Sequence, residues 1–87
     1  LISYTQTGFT PMRVEIKKGQ SVHFVNNSDK AMSVSTTEVG SLYFGELSQG
    51  KSVGRGGTYD FTFTKTGAWT YMNRNVPLDS GVIIVQE

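Results

Sequence analysis

Residues 67–81 read Gly-Ala-Trp-Thr-Tyr-Met-Asn-Arg-Asn-Val-Pro-Leu-Asp-Ser-Gly, and no other stretch narrows the fold as far. From Ala68 to Asn73 small or polar residues alternate with large rings, the period-two signature of a strand with one buried face. Trp69 and Tyr71 therefore point inward, and Asn73 shares their parity. After a tight turn placed at Pro77, Gly81-Val-Ile-Ile-Val-Gln supplies a second strand, so the stretch is expected to form a hairpin with a long tip. This last strand is apolar on both faces. With Ile83 and Val85 inward, Val82 and Ile84 face outward beside Met72, a possible contact patch unless residues 38–57 cover it.

The rest of the chain repeats the pattern in shorter pieces. Residues 2–7 alternate weakly and read as a first strand, ended by Gly8-Phe9-Thr10-Pro11, where proline cannot donate to a ladder. In Arg13-Val-Glu-Ile-Lys, Val14 and Ile16 face inward; Lys17-Lys-Gly-Gln then reads as a hairpin turn into residues 21–26, which bury Val22 and Phe24. A polar loop, Asn26-Asn-Ser-Asp-Lys-Ala, precedes a strand over residues 32–36 with Met32, Val34 and Thr36 on one side. Periodicity lapses over residues 38–57 and returns at 58–64, where Tyr59, Phe61 and Phe63 face inward. Gly54-Arg-Gly-Gly has the glycines of a phosphate cradle but neither its lysine-serine ending nor a following helix, so it reads as a turn. Such strands, seven or eight in all, define an all-β, two-sheet Greek-key β-sandwich, and the chain is one domain, 1–87.

Composition narrows the functions this domain can serve. A net charge of +1, with eight basic and seven acidic residues spread along the chain, provides no footprint for nucleic acid. No run of eighteen apolar residues is present, so no membrane insertion is expected. A domain this small buries only somewhat more than about 60% of its unfolded surface. With no cysteine to staple it, stability must come from its ten aromatic residues packed between sheets. The chain begins at Leu1 rather than methionine, which reads as a piece of something longer. Asn26-Asn27-Ser28 fits a glycosylation acceptor, a triplet common by chance.

The 67–81 hairpin resembles the last hairpin of the cupredoxins, the blue-copper family, in which glycine, an aromatic strand, cysteine, histidine, proline, methionine and glycine follow in order. Gly67, Trp69, Tyr71, Pro77 and Gly81 keep that pattern without a gap. The series Phe9, Pro11, Val14, Ile16, Gly19, Val22, Phe24, Asn26 is similar to the opening of many cupredoxin-like domains, so the likeness spans most of the chain. It implies a cupredoxin-like sandwich acting outside the cytoplasm. It also implies four positions equivalent to copper ligands. Met32 stands for the first histidine, Asn73 for the cysteine, Val76 for the second histidine and Asp79 for the methionine.

None of the four carries the family's ligand. A type 1 copper centre needs a thiolate, two imidazoles and usually a weak thioether, and this chain has no cysteine and one histidine. No metal and no other cofactor is therefore expected. On packing grounds Met32 fills an irregular gap and Val76 is simple apolar packing, while Asn73 bonds the neighbouring loop and Asp79 faces water or caps the amides of residues 80–81. The competing reading is a changed metal site in which Met32, Asn73 and Asp79 offer a thioether, an amide oxygen and a carboxylate, a set mismatched in softness. A thioether cluster of Met12, Met32 and Met72 is opposed by the parity of Met72. His23 projects from the outer face of its strand, and a metal contact there would need partners that its sequence neighbours do not supply. With no cysteine nucleophile, one histidine and no close acidic pair, the chain is not expected to be an enzyme. The expectation is a monomeric, extracytoplasmic binding or structural module of a larger exported protein, its partner a protein or small molecule. The alternative is a copper-binding or electron-transfer protein that uses unconventional ligands.

Overall fold

The structure is a computed structural model that describes residues 1–37 and 47–87, so residues 38–46 of the interval expected to meander lie outside the described residues. Eight strands run through the described residues: β1 (Ile2–Thr5), β2 (Gly8–Thr10), β3 (Arg13–Lys17), β4 (Ser21–Asn26), β5 (Val34–Thr36), β6 (Thr58–Thr62), β7 (Gly67–Asn73) and β8 (Val76–Gln86). They form two four-stranded sheets. Sheet I has the order β2-β1-β4-β6 and sheet II the order β3-β8-β7-β5.

The alternating residues behave as their period dictates. Val22 and Phe24 of β4, Tyr71 of β7, and Ile83 and Val85 of β8 are buried between the sheets, whereas Ser21 and His23 are exposed. The core they build is ring-rich, as a small cysteine-free sandwich requires. Phe9 meets Tyr4 at 4.6 Å and Tyr71 edge-on at 4.9 Å, and Tyr71 in turn meets Phe24 at 5.3 Å, so rings from both sheets interlock at the centre.

Three local expectations give way to the structure. Gly8–Thr10 is not a turn but strand β2, hairpinned onto β1, because burying Phe9 outweighs the weak strand pattern around it. Lys17-Lys-Gly-Gln does not join a hairpin: it carries the chain from β3 in sheet II to β4 in sheet I, with β3 paired in parallel to β8 and β4 in parallel to β1. Turn chemistry fixes the local bend but cannot say which sheet receives the next strand. The hairpin of β7 and β8 turns at Arg74-Asn75 rather than at Pro77, pairing Asn73 with Val76.

The length expected of that tip goes instead into a wide bulge. Met72 pairs with Ser80 and Asn73 with Val76, so Pro77, Leu78 and Asp79 of β8 have no opposite number on β7. A bulge of this kind re-aims side chains. Leu78 is thrown outward, 94% exposed, and Asp79 turns inward.

Gly81 and Tyr71 show how tightly the hairpin closes. They are cross-strand partners, and a Cβ at position 81 would lie 2.6 Å from the Tyr71 ring and 2.8 Å from the Met12 carbonyl, besides colliding with the phenol oxygen. That oxygen is buried and has no hydrogen-bond partner among the described residues, and burial pushes the Tyr71 phenol pKa well up. Gly81→Ala is expected to cost about 1–3 kcal/mol through overpacking. Tyr71→Phe, which removes an unpartnered hydroxyl, is expected to be neutral or stabilising and to recover part of the Gly81→Ala loss. Chemical denaturation of the two single variants and the double variant measures both effects.

Candidate functional site

At one end of the sandwich Asn73 pairs with Val76 and bonds the residues on either side of Met32, and there two buried asparagines hold the loop between β4 and β5. Asn26, at the end of β4, donates through Nδ2 to the carbonyls of Lys30 (2.7 Å) and Val53 (3.0 Å) and accepts at Oδ1 from the Ser28 amide and hydroxyl. Asn73, at the end of β7, accepts from the amides of Ser33 (2.9 Å) and Asn75 (3.2 Å) and donates to the Ala31 carbonyl (2.9 Å). Asn73 therefore grips the backbone on both sides of Met32. Both amides are fully buried, so Asn26 is closed to glycosylation in the folded chain.

Met32 is itself fully buried, and its backbone exchanges two 2.9 Å hydrogen bonds with Val53. It belongs to an isolated bridge rather than to β5, which begins two residues later at Val34. Val76 is half-buried where the hairpin closes. Asp79 neither faces water nor caps the following amides. Its Oδ2 accepts from the Tyr4 hydroxyl at 2.5 Å and from Lys30 Nζ at 3.0 Å, with the Asp79 side chain 17% exposed and that of Lys30 33%. The Lys30 ammonium also lies over the Tyr4 ring, 5.1 Å from its centre.

Electrostatics follow from this cluster. The Tyr4 bond, then that of Lys30, holds the Asp79 carboxyl below its ordinary range against the opposing effect of burial. Burial, then Asp79, pushes the Tyr4 phenol up, while Asn73 and Lys30 act the other way. Asp79 raises Lys30. The result is a half-buried anion clamped between a phenol and an ammonium, tying β1, the loop after β4 and the bulge of β8 together.

These donors do not fit a type 1 copper centre. Thiolate is absent from the chain, and the one imidazole, His23, lies on the outer face of sheet I rather than in this mouth. Asn73's oxygen already accepts two backbone amides, and the Asp79 oxygen facing this cluster already accepts two donors. No group of three histidine, cysteine, aspartate or glutamate side chains comes together among the described residues. Of the other positions marked in the sequence, Met72, Val82 and Ile84 lie half-buried on the outer face of sheet II, where Met72 pairs with Ser80 and Val82 with Thr70. Tyr4, Asn26 and Lys30 were not legible as site residues, since Tyr4 and Asp79 are 75 positions apart.

A two-sheet sandwich of eight strands with this crossing pattern, closed by this hairpin, has the cupredoxin fold. Solved structures show the likeness along nearly the whole chain. A purple cupredoxin from Nitrosopumilus maritimus superposes with a TM-score of 0.85 at 17% identity, covering 98% of this chain and 97% of that one. Amicyanin superposes with a TM-score of 0.82 at 21% identity over 98% of this chain and 79% of its own. A copper-containing nitrite reductase from Thermus scotoductus superposes with a TM-score of 0.83 at 27% identity over 99% of this chain, which spans only 22% of that enzyme. No protein-family profile and no curated protein matches the sequence.

Two substitutions test the closed mouth. Asn73→Ala leaves the buried Ser33 amide without its acceptor and is expected to cost about 1–3 kcal/mol; Met32→Ala, which empties a buried site, is expected to cost about 2–5 kcal/mol. Asp79 supplies a pH signature. Its folded pKa lies below its unfolded value, so its stabilisation is present above the ordinary carboxylate range and is lost as pH falls through the folded value. Wild type should therefore be more stable than Asp79→Asn at neutral pH, and the gap should close in acid. Thermal melts of both proteins from pH 2 to pH 8 check this.

Proposed function

We propose that this domain is a cupredoxin-like binding or structural module that works without copper at the family's ligand positions, within a larger exported protein outside the cytoplasm. The observation that carries the reading is the use of Asn73 and Asp79. At the two positions where the fold's copper proteins place sulfur ligands, this chain has an amide and a carboxylate already engaged by its own backbone, phenol and ammonium. The loops are joined by hydrogen bonds, and an ion would have to break them to enter.

A module of this kind acts through its surface. The outer face of sheet II carries Met72, Val82 and Ile84 in a half-buried apolar strip, and this is the contact patch we assign to a protein or small-molecule partner. Catalysis is not part of the proposal: the Tyr4 hydroxyl that meets the Asp79 carboxylate is fully buried, and that carboxylate is also held by Lys30.

Titration with Cu(I) and Cu(II) is the direct test. The expected result is no tight stoichiometric binding that perturbs the NMR signals of Met32 or Asp79, and such binding would replace this reading by that of a copper carrier with unconventional ligands. The frame has its own test: combining Met32→His, Asn73→Cys, Val76→His and Asp79→Met should yield a strongly coloured thiolate-copper protein, since the 73, 76, 79 spacing is that of the family. A folded but colourless product would show that the four positions do not converge as assigned.

A further inference from the structure

The register of β4 and β6 places Asp60 directly opposite His23, and His23 Nδ1 lies against Asp60 Oδ1. The two residues are 37 positions apart, which is why His23's sequence neighbours supplied no partner. We propose that this dyad is one half of a divalent transition-metal site, completed by His23 of a second copy of the chain.

The chemistry starts from the tautomer. A carboxylate against Nδ1 keeps the proton there and leaves the Nε2 lone pair directed away from the carboxylate, the arrangement in which histidine ligates metals and is oriented by an acidic partner behind it. Nε2 has no hydrogen-bond partner among the described residues, and the His23 and Asp60 side chains are 46% and 64% exposed, so a metal can reach the ring. Imidazole suits Zn(II), Cu(II) and Ni(II). One imidazole is too few donors for a stable site, and the chain has no second histidine and no cysteine to add.

A second copy supplies what is missing. Around the dyad the outward residues of sheet I are small: Ser21 and Thr62, whose hydroxyls meet at 2.6 Å, on one side, and Val25 and Thr58 on the other. Small side chains around the ring are what two facing copies would need for one ion to bridge them. Asp60 is the one ionised side chain among the outward positions of the described strands of this sheet, so two facing copies bring two negative charges that a single divalent cation neutralises. Without the cation the same two carboxylates repel, and the chain stays monomeric.

Sedimentation velocity on the full chain, with ZnCl2 or CuCl2 added and MgCl2 as the oxygen-preferring control, tests this. The expected result is a doubling of mass with zinc or copper, saturating near half an equivalent of metal per chain, reversed by EDTA and absent with magnesium. His23→Gln should abolish the doubling. Asp60→Asn should move its midpoint to about tenfold higher metal or more. Both residues are exposed, so both variants should keep the wild-type melting temperature without metal. An unchanged mass, the same doubling in His23→Gln, or saturable binding at one metal per chain without association would each overturn the proposal. Asp79→Asn should associate as wild type does, which separates this site from the mouth.

Discussion

Two buried asparagine amides at the ends of β4 and β7 hold the mouth of this sandwich together. Asn26 belongs to sheet I and Asn73 to sheet II, and between them they bind the loop over residues 27–33 through its own backbone. A buried amide left without partners is costly, so each asparagine enforces one loop geometry. Packing alone would not do this, because Met32, although buried, is flexible enough to settle into several shapes of gap. The polar bonds define the loop and the methionine fills it.

The Asp79 cluster extends the same logic to the bulge. A wide bulge in β8 has no ladder to position it, so its three unpaired residues need another anchor. Asp79 provides one by reaching Tyr4 and Lys30 on two other segments. Because the ring of Tyr4 is also packed on Phe9 in the core, the anchor is continuous with the apolar interior. Removing the carboxylate would leave a fully buried phenol and a half-buried ammonium without the acceptor they share. The mouth is therefore one connected unit in which hydrogen bonds, ion pairing and ring packing share the same residues.

What could be read from the sequence was local. Period two assigned the faces of β4, β7 and β8, because alternation is a property of neighbouring residues and survives any tertiary arrangement. The spacing of Gly67, Trp69, Tyr71, Pro77 and Gly81 pointed to the fold through family likeness. What escaped was non-local. Pro77 looked like the turn, but Arg74-Asn75 turns more tightly and lets Asn73 pair with Val76. Lys17-Lys-Gly-Gln looked like a hairpin because its glycine suits one, yet sheet membership is decided by which strands bury each other. Asp79 looked like a surface residue because its partners lie 49 and 75 positions away, and Asp60 was invisible to His23 for the same reason.

Strand β3 ends the order of sheet II and so, among the described residues, has one side without a neighbouring strand. Its outward residues are Arg13, Glu15 and Lys17. If two molecules met antiparallel along this margin, centred on Glu15, glutamate would stand opposite glutamate and arginine opposite lysine, a like-charge arrangement at every outward rung. Such a border resists the runaway strand-on-strand growth that threatens any open sheet, and it does so in a chain with no disulfide to keep its sheets closed.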